Sequence, residues 1–249
     1  MKAGFRLFLE LILVAQASVL FAQDADLSLA NRPLNAMLIV VLISVIPLAL
    51  MMTSFVKISV VLAIVRNAIG TYHIPPNTVI LGLSLILTIY TMAPVGMEIN
   101  KAIQQQFPQY TGSSFFTNAS LQDMLTASKI AKVPISKFLS KYAHSKDKKL
   151  FYSIIQKTNK NNEVRFTKDD LIILVPAFMI SQLKEAFEIG FVIYIPFLII
   201  DLLVSNILLS LGMFMVSPTT ISLPFKLLLF VLADGWFMIT KGLIESYLR

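Results

Sequence analysis

The chain has 249 residues, of which 56% are hydrophobic and 14% charged, and its mean hydropathy is +0.76. This is the composition of a membrane protein and excludes an ordinary soluble domain. It contains no cysteine, which excludes a disulfide framework and a thiolate metal site, and two histidines are too few for a histidine-rich metal centre.

The chain opens with Lys2 and Arg6, followed by an apolar stretch from Leu7 to Leu20 and a small-residue site at Ala15-Gln16-Ala17. Residues 1–22 therefore read as a secretory signal peptide. Glu10 interrupts the apolar stretch, so an uncleaved anchoring helix is the competing reading. Residues 23–100 hold the N-terminal membrane helices. A short polar linker from Asp24 to Pro33 leads into an apolar run from Leu34 to Val65, broken by Pro47 and Lys57. As one helix the run would approach about 50 Å, too long for a roughly 30 Å hydrocarbon core. Pro47 is expected to kink or divide it. Arg66 in its last turn and Gly70 just beyond are helix C-terminal signals. Pro75-Pro76 then forces a break. Asn77 is expected to cap a helix from Thr78 to Met97 that Glu98 closes.

Residues 101–170 change character. The net charge of the chain is +7, and the twelve Lys/Arg against five Asp/Glu between Lys101 and Asp170 account for the whole excess. Short amphipathic helices are expected at 120–131 and 134–143. The segment has no aromatic stacking pattern and no nucleic-acid motif, so its basic charge does not indicate a nucleic-acid partner. It reads as a solvated, periplasmic cap or partner surface. Asn118-Ala119-Ser120 fits a glycosylation sequon, a pattern common by chance.

Residues 171–249 read as a helical hairpin region with a loop at its tip. Between Ile189 and Val216 there are 28 residues with one charge, Asp201. A single helix of that length, about 42 Å, exceeds the hydrocarbon core, so it must tilt, break or leave the bilayer. Pro196 is a candidate kink. Gly212 with Ser217-Pro218 is a candidate reversal that puts Met213, Phe214 and Met215 at or near the tip. Charges embedded in apolar helices (Lys57, Arg66, Lys184, Glu185, Glu188, Asp201, Lys226 and Asp234) are costly unless paired and are expected to mark contacts within or between subunits. Asp201 is a candidate partner for Lys57 or Arg66, and Lys184 with Glu188 fits an i,i+4 pair. Asp234-Gly235-Trp236 reads as a paired Asp beside an interfacial Trp. There is no phosphate loop, nucleophile elbow or His-Glu-x-x-His string, so no catalytic constellation or cofactor site is read and an enzyme is not expected.

Several strings carry a resemblance. Phe178-Met179-Ile180-Ser181-Gln182-Leu183-Lys184-Glu185-Ala186-Phe187-Glu188-Ile189-Gly190-Phe191 is followed by Ile195-Pro196-Phe197-Leu198-Ile199-Ile200-Asp201 and by Ser217-Pro218 through to Lys226. Upstream stand Thr53 to Leu62, Arg66-Asn67-Ala68-Ile69-Gly70, Ile74-Pro75-Pro76-Asn77 and Tyr90 to Gly96. In this order they closely resemble the FliP/SctR family, export-gate proteins of flagellar and virulence type III secretion systems. The resemblance covers residues 34–100 and 171–240.

It implies an all-α, multi-pass inner-membrane subunit whose hairpins assemble in several copies into a helical, pore-lining oligomer. The implied partners are FliQ/SctS-like and FliR/SctT-like subunits, a FlhB/SctU-like switch protein, a FlhA/SctV-like subunit and unfolded secreted substrates. It also implies that Met213, Phe214 and Met215 form a gasket closing the pore. Phe214 departs from the third Met usual in flagellar members. Gln182, Lys184, Glu185, Glu188 and Lys226 are implied inter-subunit polar contacts. Gln182 replaces the Glu that in flagellar relatives pairs with the Lys of Pro-Phe-Lys, so only a Gln182–Lys226 hydrogen bond or a substitution by Glu185 carries over. Ala93-Pro94-Val95 and Ser217-Pro218-Thr219-Thr220 favour the injectisome branch, and the signal-like start favours the flagellar one. The rival class is an ion-coupled transporter or channel acting alone, with Lys184, Glu185, Glu188 and Asp201 as a relay.

Overall fold

The structure, a computed structural model, describes residues 47, 49–71, 74–108, 121–158 and 166–248. The signal-like start, the linker, the first part of the first apolar run (residues 34–46 and 48) and the sequon lie outside the described residues. The chain divides into two units at Ala49/Leu50, and the regular helices from Phe55 onward all lie in the second. Among the described residues every regular element is a helix. Among the described residues two helices are long and apolar enough to cross a membrane, or three if a bent pair near the C-terminus counts as one span.

The residues on either side of Pro47, where a kink is expected, lie outside the described residues; among the described residues a break falls at residues 52–54. Thr53 sets it: its hydroxyl donates to the Leu50 carbonyl at 2.7 Å and accepts from the Phe55 N–H at 3.3 Å. The side chain thereby takes backbone partners that the helix would otherwise use. Helix α1 follows, Phe55–Ile69. Ile58, Val61, Leu62 and Val65 are buried on one face at i, i+3, i+4, i+7 spacing. Gly70 ends it at φ +84°, its N–H on the Asn67 carbonyl, as the sequence leads one to expect.

Helix α2 runs Asn77–Gln106, through Pro94 and well past Glu98. Asn77 is its first residue rather than its cap, and the Asn77 side chain accepts instead from Arg66. The helix continues because tertiary packing recruits its polar end. Ile103 and Phe107 pack against Ala127 and Ile130, and Glu98 lies 3.6 Å from Lys137. Both partners belong to α3, Leu121–Tyr142, one helix through Pro134 where two short ones are expected from the pattern. After an elbow at Ala143-His144 the chain turns back into α4, Ser145–Thr158.

Helix α5, Leu171–Ser210, has 40 residues and passes through Pro176 and Pro196 without ending. At about 1.5 Å per residue it is roughly 60 Å long. It ends in a Schellman arrangement: Gly212, at φ +73°, bonds the Leu209 carbonyl and the Met213 N–H bonds that of Leu208. Pro218 opens α6, Pro218–Leu232, at a position that needs no N–H donor. Helix α6 packs back along α5, completing the hairpin. A left-handed Asp234 and a bend of 59° separate it from α7, Gly235–Glu245.

Two cores result. One joins α1, α2, α5, α6 and α7 around Ile58, Leu62, Leu87, Phe197 and Phe230. The other joins the elbow end of α3 to α5 and the C-terminal turn around Phe138, Leu139, Phe178 and Tyr247.

Candidate functional site

The tip of the hairpin is the turn between α5 and α6. Phe214 is 77% exposed, Met215 99% and Met213 44%. Three large apolar side chains thus stand in the open on a turn fixed by backbone hydrogen bonds at its α5 end and by Pro218 at its α6 end. Bare apolar surface of this kind favours a partner, a lipid or a copy of itself over water.

Below the tip an ion pair ties the two arms. Lys226 Nζ lies 2.6 Å from Asp201 Oδ2, and its side chain is 7% exposed. Ser222 donates to the other carboxylate oxygen at 2.6 Å. Lys226 also donates to the Ala68 carbonyl at 3.3 Å, reaching the end of α1. The pair borders a cavity of about 430 Å³ lined in part by Asn67, Gly70, Tyr194 and Thr219. A buried ammonium so close to a carboxylate, with further hydrogen bonds on both, is a satisfied charge pair.

A second cluster lies toward the other end of α5. Lys57, 1% exposed, donates to Glu185 Oε2 at 2.6 Å and to Ser246 Oγ at 3.3 Å. Its ammonium lies 4.2 Å from the Tyr247 ring centroid, a cation–π contact. The other Glu185 oxygen meets His144 Nε2 at 2.7 Å. Gln182 is fully buried: its amide donates to the Tyr142 carbonyl at 3.1 Å and its oxygen accepts from the Tyr247 hydroxyl at 2.5 Å. Tyr142 in turn donates to the Tyr247 carbonyl at 2.5 Å. Ser181 accepts from the His144 N–H at 2.8 Å and lies 2.7 Å from Asp147. Burial, reinforced by the charge on Glu185 and by Tyr142, pushes the Tyr247 hydroxyl above the usual tyrosine range, so it stays a donor.

These contacts revise several expectations. Asp201 is paired with Lys226, not with Lys57 or Arg66. Within the chain Lys226 meets neither Gln182 nor Glu185, whose partners there are Tyr247, Tyr142, Lys57 and His144; the expected contact of Lys226 with them is one between subunits and is separate from these. Arg66 is half-buried and Asp201 partly exposed, whereas Asp234, the left-handed residue between α6 and α7, is exposed rather than buried. Lys184 and Glu188 make the i,i+4 pair at 3.9 Å and remain on the surface. Trp236 packs edge-on against Phe230 with ring centroids 5.2 Å apart.

Tyr247, Tyr142, His144 and Ser222 do not stand out in the sequence. One signal was available. Ser222 and Lys226, like Ser181 and Glu185, are spaced i,i+4 and so share a helix face inside apolar surroundings.

The fold and these sites define an all-helical protein with membrane-length apolar helices and an exposed hairpin tip. The sequence profile of the FliP family matches residues 38–243. Yop proteins translocation protein R of Yersinia pestis is 44% identical over 216 residues, which cover 86% of this chain and 96% of that protein. Virulence protein YscR of Salmonella typhimurium is 44% identical over 223 residues, 89% of this chain and all of that protein. Flagellar biosynthetic protein FliP of Bacillus subtilis is 42% identical over 227 residues, 90% and 96% of the two chains. The chain belongs to the FliP family.

Proposed function

We propose that the chain is a non-enzymatic core component of a type III secretion export gate in the bacterial inner membrane. The observation that carries this reading within the structure is the exposed Met213-Phe214-Met215 turn on a rigidly capped hairpin. Family membership and relatives named for translocation, virulence and flagellar biosynthesis supply the setting. In this reading several copies assemble with FliQ/SctS-like and FliR/SctT-like subunits, beside a FlhB/SctU-like switch and a FlhA/SctV-like subunit. Unfolded secreted substrates pass through the pore they line. The exposed tips meet at the pore axis, where methionine's flexible thioether adapts to varied shapes and seals the resting channel. Phe214 adds a bulky plug at the cost of some adaptability.

The internal ion pairs give each hairpin a fixed shape before assembly. The surface pair Lys184–Glu188 is left as the polar contact available to a neighbouring subunit. The signal-like start fits insertion through a secretory route, and residues 101–170 form the periplasmic cap. Within the family we favour an injectisome, on Ala93-Pro94-Val95 and Ser217-Pro218-Thr219-Thr220.

The transporter reading finds less support. Glu185 and Asp201 lie 16 residues apart on α5, about 24 Å along its axis, and each is held by its own lysine. Replacing Met213, Phe214 and Met215 together by Ala tests the gasket. The expected result is increased leakage of small ions and solutes through the assembled complex, measured by dye or ion flux in liposomes. Unchanged permeability in complexes of full composition would refute the gasket role.

A further inference from the structure

The hairpin tip carries its chemistry on sulfur. Met215 is 99% exposed, more than Met238 at 64% or Met97 at 59%, which lie along α7 and α2. Met213 is exposed two residues before it, and Phe214 stands between them. A thioether sulfur keeps a reactive lone pair, and exposure decides how readily an oxidant reaches it. The phenyl ring of Phe214 is inert to mild peroxides. The tip thus holds two oxidisable side chains on either side of one that is not.

The turn holds these side chains in place. The Met213 N–H is bonded to the Leu208 carbonyl at 2.9 Å, and the Gly212 N–H to that of Leu209 at 3.1 Å. At the other end Pro218 has its φ fixed by its ring. The hydroxyls of Ser217 and Thr219 bond each other at 2.8 Å across the entry to α6. A change of polarity at either sulfur therefore stays at the tip.

The reaction available there is oxygen transfer from a peroxide. The sulfur lone pair attacks one oxygen of hydrogen peroxide, the O–O bond breaks, and the other oxygen leaves as water. The sulfur loses an electron pair and becomes a sulfoxide, and the peroxide is reduced by that same pair. The product is a polar hydrogen-bond acceptor where a soft apolar group stood. Seated among apolar tips, it either recruits water or stays unsatisfied, and both weaken a dry seal.

Resting on the gasket role proposed above, we infer that Met213 and Met215 are a modification site for peroxides, and that their conversion to sulfoxides unseals the resting gate. Hydrogen peroxide is neutral and little larger than water, so it reaches the faces of a seal that bars hydrated ions. Phe214 takes up no oxygen, which limits the modification to one oxygen atom on each flanking methionine.

The absence of cysteine from this chain leaves methionine as its main target for peroxide, which makes the test direct. The assembled complex in liposomes is treated with hydrogen peroxide. Oxygen uptake at each methionine is read by peptide mass spectrometry, alongside ion flux. Met213 and Met215 are expected to gain oxygen, and flux to rise with their conversion toward the level of the triple alanine replacement. Methionine sulfoxide reductases remove that oxygen and should return the flux to its untreated level. For Met213→Leu with Met215→Leu, flux after peroxide is divided by the same protein's flux before it, and that ratio should show no rise. Three results overturn this inference alone, provided the triple alanine replacement leaks: no oxygen at the tip when Met97 and Met238 are fully converted, tip sulfoxides with unchanged flux, or an equal rise in the leucine variant. If the triple alanine replacement does not leak, the gasket reading falls and this inference with it.

Discussion

At the scale of residues, the charges that look most exotic in the sequence are mostly internal fasteners. Lys226, Asp201 and Ser222 form one set, and Lys57, Glu185 and His144 another. Removing one member of such a pair strands the other. Lys226→Ala is expected to destabilise the folded chain by roughly 2–4 kcal/mol, somewhat less than a fully buried pair because Asp201 is 29% exposed. The double replacement Asp201→Leu with Lys226→Met should cost less than either single loss, since no charge is then left unpaired. Denaturant titration of the chain in detergent compares them; a double variant weaker than both singles would count against an internal pair. Tyr247→Phe removes the donor that satisfies the buried Gln182 oxygen and should cost about 1–3 kcal/mol, read the same way.

At the scale of elements, the close packing of α1 on α5 depends on Gly190. A Cβ there would come within 2.4 Å of Ile64 Cδ1 and 3.0 Å of its Cγ2. Because Ile64 is β-branched and stiff at χ1, it has little room to yield. Gly190→Ala is expected to destabilise by about 1–3 kcal/mol, visible as a lower unfolding midpoint; an unchanged midpoint would show that the two helices separate freely. At the tip, Gly212→Ala places a side chain at φ +73° and should loosen the turn by about 1 kcal/mol, seen as faster amide exchange at Met213. Such punctuation was legible from sequence. Gly70, Gly212 and Pro218 act through local backbone geometry that their residue types declare. The helix end at Gln106 and the continuity of Leu121–Tyr142 were not. They depend on Ile103 and Phe107 meeting Ala127 and Ile130, a contact between segments that the local pattern does not encode. Charge partners were equally hidden: Lys57 and Glu185 are 128 residues apart in sequence.

At the scale of the molecule, the chain is stiffened by polar pins and left bare at two places. The hairpin tip presents Met213, Phe214 and Met215, and much of the apolar surface of α5, α6 and α7 is also uncovered, including Leu202, Ile207, Val231 and Phe237. A protein that keeps its charges internally satisfied and its apolar faces open is built to be covered, by lipid along its length and by other subunits where hairpins meet. The proposed role as one stave of a multi-subunit gate rests on that arrangement together with membership of the FliP family. The type of element at the hairpin was readable from the sequence, whereas what covers its faces lies beyond any single chain.

The most direct test is native mass spectrometry of the detergent-extracted chain, co-expressed with its chromosomal neighbours. The expected result is a defined multimer of this chain that also retains small FliQ/SctS-like and FliR/SctT-like subunits. A monomer or simple dimer that ignores those neighbours would contradict the gate and favour a transporter acting alone.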